Sequence, residues 1–314
     1  MSQIFVPGGA RKGFDGAFVC ATDPASGSPV SYCFANDIVR LSLSDNRGYA
    51  DAVDNSGLTH ITIPGVRTGA IQVMGNLQPD RSIGALINTA FGARVNGGLT
   101  PWVGSLIPYS GGTARTFTGL WWNTLDLYGQ YSQGGVPGKI GYTLSGAIAD
   151  PLNSLAASDL SIPAAAGTIG AGVPHFIQCG FGNGASSSPT TYDSIRAFRL
   201  TLNNRLSAQP SAKSRTARIS NGYVPGPLIG SYVMTQLLGA TQAIPLAAGV
   251  YPIEIQIPTG DGSHTLLVDL TVSYDADSTS VSPNDYAPNV GAYTVFGTNS
   301  VNSASSWPIN TSYS

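Results

Sequence analysis

The stretch Ile253-Glu-Ile-Gln-Ile-Pro-Thr-Gly-Asp-Gly-Ser-His-Thr-Leu-Leu-Val-Asp-Leu-Thr-Val-Ser-Tyr274 decides the reading of this chain. Ile253, Ile255 and Ile257 alternate with Glu254 and Gln256. Leu266, Val268, Leu270, Val272 and Tyr274 alternate with Leu267, Asp269, Thr271 and Ser273. A period of two sends successive side chains to opposite faces, which is the pattern of a half-buried strand. Asp261-Gly262 between the runs tolerates positive φ, so the two runs are predicted to form a hairpin. Leu125 and Leu127, followed by Tyr142 and Leu144, predict a comparable pair in the first half.

A weak internal echo lies outside this hairpin. Arg40-Leu-Ser-Leu-Ser-Asp-Asn-Arg47 resembles Arg199-Leu-Thr-Leu-Asn-Asn-Arg205, 159 residues later and with one residue less in the turn. Val39, Leu41 and Leu43 alternate with Arg40, Ser42 and Ser44, as Phe198, Leu200 and Leu202 do with Arg199, Thr201 and Asn203. An offset of half the 314 residues points to two similar domains; a solenoid would repeat every 20–50 residues or so. Helical signal is confined to Ser82–Phe91, capped by Asp80 or Ser82 and ending near Gly92, and to Ser231–Leu238, which reads equally as a strand. Residues 150–190 are rich in Ala, Ser, Gly and Pro. The expected fold is therefore all-β: two jelly-roll-like sandwiches related by duplication, at 1–155 and 191–314. A connection at 156–190 joins them, and helices are few and short.

Composition narrows the function. Lys+Arg number 15 and Asp+Glu 17, so charged residues make 10% of the chain, against roughly a quarter in ordinary domains. Lysine occurs only at positions 12, 139 and 213, and glutamate only at 254. A net charge of −2 argues against a phosphate-neutralising nucleic-acid binder. There is no run of 18 or more apolar residues of the kind that predicts a spanning helix. The start, Met1-Ser-Gln-Ile-Phe-Val6, lacks the pattern of a secretion signal, which predicts synthesis in a cytoplasm and discounts Asn310-Thr-Ser312 as a glycan acceptor. Cys20, Cys33 and Cys179 are expected as buried free thiols, with a Cys20–Cys33 bridge as the alternative.

His60, His175 and His264 fall in no metal-binding spacing, and His175 with Cys179 supplies two ligands at most. His60 reads as an outward strand position, and His264 as an exposed residue after the hairpin turn. Gly180-Phe-Gly-Asn-Gly184 lacks the Lys-Ser/Thr of a phosphate loop and reads as a flexible loop. Asp275-Ala-Asp277 reads as a turn that could offer calcium two of the six to eight oxygens it needs. Glu254 stands alone among isoleucines. Trp121-Trp122, near Tyr128 and Tyr131, is either buried at a core or interface or a sugar-stacking platform. Arg40, Arg47, Arg196, Arg199 and Arg205 are either pairs for acids of a neighbouring subunit or solvated edges. No catalytic residue, cofactor site or metal site is expected, and the chain is read as a non-enzyme.

A Ser/Thr/Asn/Gly surface with few long charged side chains suits a protein covered by copies of itself. Ile195-Arg-Ala-Phe-Arg-Leu-Thr-Leu-Asn-Asn-Arg205 and Ala248-Gly-Val-Tyr-Pro-Ile-Glu-Ile-Gln-Ile-Pro258 resemble segments of double jelly-roll major capsid proteins of tailless icosahedral viruses. Leu106-Ile-Pro108 is a poor first-half match to the second of these. The resemblance implies two eight-stranded sandwiches side by side, a homotrimer of pseudo-sixfold outline, and a virion shell often lying over a membrane. Its partners would be copies of itself and other virion proteins. The first segment is also similar to strands of phage tail tube proteins, whose β-barrels form stacked rings. A capsid-decorating protein is a third version, and a carbohydrate-binding β-sandwich using Trp121 and Trp122 is the alternative from another class.

Overall fold

The structure is a computed structural model. It describes residues 16–22, 31–34, 38–53, 59–77, 82–92, 99–108, 115–131, 138–150, 175–183, 195–209, 222–237, 250–262, 264–279, 288–295 and 309–313. In chain order the first half carries β1 (Gly16–Thr22), β2 (Ser31–Phe34), β3 (Ile38–Val53), β4 (Thr59–Asn76), helix α1 (Ser82–Phe91), β5 (Trp102–Pro108), β6 (Arg115–Gln130) and β7 (Gly141–Asp150). The second half carries β8 (Gly180–Asn183), β9 (Ile195–Asn203), β10 (Ser207–Ala208), β11 (Tyr223–Val224), β12 (Ile229–Leu237), β13 (Val250–Pro258), β14 (Thr265–Thr279), β15 (Pro288–Val295) and β16 (Ile309–Tyr313). The all-β expectation holds: every strand except β10 and β11, which pair with each other, belongs to one 14-stranded sheet.

The deciding hairpin forms as read. β13 and β14 pair from Val250↔Ser273 to Pro258↔Thr265. Thr259, fully buried, closes the turn: its N–H donates to the His264 carbonyl at 2.8 Å and its hydroxyl to Asp261 Oδ1 at 2.6 Å. Gly262 supplies the positive φ, +70°. In the first half, Leu125 faces Leu144 and Leu127 faces Tyr142 across β6 and β7.

The two halves share one strand order. The first runs β3-β4-β7-β6-β5-β1 across the sheet, with β2 added beyond β1; the second runs β9-β12-β15-β14-β13-β8. Taken in chain order, β1, β3, β4, β5, β6 and β7 correspond one by one to β8, β9, β12, β13, β14 and β15. The echoed segments fall on corresponding strands, β3 and β9. Both β6 and β14 carry a bulge in their pairing with the next strand, between Trp122 and Thr124 and between Tyr274 and Ala276.

Several local expectations change. Of the two readings of 231–238 the strand holds: Ser231–Leu237 lies in β12, because Tyr232, Met234 and Gln236 alternate inward with the period of a strand. Asp45-Asn46-Arg47 is no turn: β3 continues to Val53, paired with β4 throughout. Side chains of β3 other than that of Ser44 lie outside the described residues. Residues 175–183, within the expected connection, form a 3-10 turn at Phe176–Gln178 and strand β8. Gly180–Asn183 is therefore a paired strand, not a flexible loop.

A single core spans both halves. Phe18 stacks on Phe117 and meets Trp122 edge-on, with centroids 6.0 and 6.4 Å apart. In the second half the sheet curls so that Phe181 of β8, the last strand of its set, meets Phe198 of β9, the first, at 5.4 Å. Those two strands share aromatic contact and no ladder, so the curl closes as a sandwich. No helix among the described residues is long and apolar enough to cross a membrane.

Candidate functional site

The joint between the halves is built on β6. One side of this strand is paired with β7 from Thr118 to Tyr128. The opposite side is shared end to end: β5 pairs with Arg115–Leu120, and β9 with Thr124–Gln130. The changeover at Trp121–Asn123 leaves backbone groups unpaired by strands, and Asn204 fills it. Its N–H donates to the Asn123 carbonyl (2.8 Å), and its side-chain amide donates to the carbonyls of Ala90 (2.8 Å) and Trp122 (2.9 Å). Asn204 is wholly buried, so these bonds tie helix α1, β6 and the turn after β9 together. Arg205 follows at φ 51°, held by its N–H on Asn203 Oδ1 at 2.8 Å. Asparagine suits both places because its short amide can replace strand partners in a turn.

Across this joint the outward face of the sheet forms a shallow groove of about 630 Å³, lined by Gln72, Met74, Asp126, Tyr128, Thr143 and Arg199 among others. Arg199 grips Asp126 with two parallel bonds, Nε to Oδ1 at 2.8 Å and a terminal nitrogen to Oδ2 at 2.6 Å, and the Thr201 hydroxyl adds a third at 3.2 Å. Arg196 lies over the Tyr131 ring, 5.0 Å from its centroid. Arg199 is thus committed within the chain. Arg205 is exposed, and the side chains of Arg40 and Arg47 lie outside the described residues.

No protein-family model matches this chain, and no curated protein is similar to it.

The geometry disposes of the candidate sites separately. Trp122 is buried in the core and cannot stack on a sugar; Trp121, half-buried, packs with Tyr223, Ala149 and Leu206. Cys179 bonds the backbone carbonyl of His175 at 3.6 Å, and burial pushes its thiol up to about 12, far from the thiolate a metal needs. Asp275 and Asp277 lie within strand β14, not a turn, and Asp275 accepts the Thr294 hydroxyl at 2.6 Å. His264 is half-buried beside Thr259, and the side chain of His60 lies outside the described residues. No group of three or more His, Cys, Asp or Glu that could hold a metal occurs among the described residues. Cys20 and Cys179 are buried and in no disulfide, so no Cys20–Cys33 bridge forms; Cys33 stands opposite Val19.

Glu254 does not stand alone. It is 4% exposed and faces Asp269 directly across β13 and β14. Gln256 donates to Glu254 Oε1 at 2.8 Å. Burial, then the charge and hydrogen bond of Glu254, push the Asp269 carboxyl up to about 6. Two carboxyl groups in such contact bind better with one proton between them. Hairpin register carries the signal for this pair: a turn that puts Pro258 opposite Thr265 puts Glu254 opposite Asp269.

Proposed function

We propose that this chain is a virion structural protein that assembles with copies of itself. One observation carries the reading: two sets of strands in the same order, joined edge to edge through β6 and β9. A single chain already contains two units of a repeating array. Its outward groove is lined by apolar side chains such as Met74, Phe198 and Val233 with a few amides and hydroxyls, and its one ion pair is already matched in place, so covering it costs less than covering unpaired charges would.

The same joint favours stacked rings in a tube over an icosahedral shell. Shell proteins of the double jelly-roll kind are expected to hold two separate sandwiches, whereas here one sheet continues across both halves. A ring of three such chains would contain six units. Strand β3 adds support: from Asn46 and Thr68 to Val53 and Thr59, β3 and β4 pair with each other and with no third strand among the described residues. A two-stranded ribbon about 25 Å long is marginal in water unless something covers it, and a neighbouring copy would.

Light scattering and negative-stain microscopy of the purified protein test this. Rings or tubes are the expected outcome. Closed shells would return the capsid reading to first place, and a monomer persisting at high concentration would overturn self-assembly altogether.

A further inference from the structure

We infer that the free edge of β3 in one copy pairs with the open half of β14 in a second copy, repeating between chains the joint that β9 and β6 make within one. This rests on the self-assembly reading and names its contact.

The internal joint has two ingredients. The first is β9, which pairs with β12 on one side and has its other side free for β6. The second is the stretch of β6 beyond its bulge, where β5 has ended and the side opposite β7 is open. Both ingredients exist a second time, unused. β3 corresponds to β9 and, among the described residues, pairs only with β4. β14 corresponds to β6, and beyond Ser273 its β13 side has no strand among the described residues, while β15 holds the other side as far as Thr279. Within one chain these two edges do not pair with each other among the described residues, and two molecules can pair them. The contact is head-to-tail, so it propagates, closing into a ring or continuing as a helix.

The internal joint also predicts the register. Thr124, the first residue after the β6 bulge, faces Asn203. The first residue after the β14 bulge is Ala276, and the echo places Ser44 where Asn203 stands. Ser44 of one copy therefore faces Ala276 of the next, and Ser42 faces Ser278. Ser44 and Ala276 are both exposed in the single chain. Charge limits this choice: the open part of β14 carries Asp275 and Asp277, β3 carries Arg40 and Arg47 with Asp45 and Asp51, and the register sets Asp45 beside Asp275, one like-charge contact. Pairing β14 with β14 would bring four aspartates together, so the unlike pairing is favoured.

The test mixes full-length S44C with full-length A276C carrying a mass tag, under mild oxidation, alongside each variant alone and the unmodified chain. A second mixture uses S42C with S278C. Directly opposed strand residues lie within the roughly 4.4–6.8 Å that a disulfide spans. The expected result is a mixed, reducible dimer in both mixtures and at least tenfold less of it when the variants are combined in denaturant. Rings or tubes on the grid without the mixed dimer in either mixture would overturn the β3–β14 contact and leave self-assembly standing. No assembly and no cross-link would overturn both.

Discussion

Replacing Asp269 by Asn isolates the acid pair in the β13–β14 hairpin. In the folded chain the Asp269 carboxyl is pushed up to about 6, from an ordinary 3.8, by burial and by Glu254. Because the folded value lies above the unfolded one, the folded state holds the proton more tightly. The stability this contributes is complete below about pH 4, falls as pH rises through 6, and is gone above it. A shift of about two units corresponds to roughly 3 kcal/mol at full strength. Asp269 is only part-buried, so solvent screening reduces the expected effect to about 1–2 kcal/mol. In Asp269→Asn the side chain keeps its size, cannot ionise, and still offers Glu254 a donor. Urea unfolding of both proteins at pH 4, 5, 6, 7 and 8 reads the difference, in which the titration of other acids common to both cancels. The variant should gain on the natural chain by about 1–2 kcal/mol between pH 4 and 8, with the change centred near pH 5 to 6. A difference that stays flat across that range, or moves the other way, would refute the shared proton.

Asn204→Ala leaves the carbonyls of Ala90 and Trp122 without their buried donor, and should cost about 2–4 kcal/mol in chemical denaturation; a loss under 1 kcal/mol would deny it the joint. Arg199 and Asp126 form a well-aligned pair with Arg199 63% exposed, so a double-mutant cycle with alanine should give a coupling of about 0.5–1 kcal/mol that weakens in 1 M salt. Trp122→Ala should cost about 3–5 kcal/mol and Trp121→Ala clearly less; equal losses would contradict their different burial.

Much of this fold is legible in the sequence, for a physical reason. Alternation in Ile253–Ile257 and Leu266–Tyr274 reports local backbone geometry and one covered face, and both are set within a few residues. The turn then fixes register. What alternation cannot report is which edge a strand presents to which neighbour. Glu254 sits in an outward slot of its pattern yet is buried, because burial there depends on how the sheet curls between β8 and β14. Asp275-Ala-Asp277 has turn-like composition yet stays in strand β14, with Asp275 at the bulge and Ala276 and Asp277 paired with β15. The echo at Arg40 and Arg199 marks equivalent strands, but only the strand order shows that β5, poorly matched in sequence at Leu106-Ile-Pro108, corresponds to β13. Side-chain identity drifts under packing, while strand order persists because changing it would require re-pairing the whole sheet.

The differences between the two halves then acquire a direction. Within the chain, the β6–β9 joint is fastened by the Asn204 amide and by the fork between Arg199 and Asp126. Counting from the echoed arginines, Asp45 occupies the place of Asn204, and counting from the bulges, Ser278 occupies the place of Asp126. A carboxylate has no hydrogen to donate to two carbonyls, and a serine cannot hold a guanidinium with two parallel bonds. The joint we infer between copies would therefore keep the strand pairing and lack both fastenings. On that inference one joint closes during folding and remains closed, while the other would be weak in a lone pair of molecules and gain strength only when several copies close a ring together.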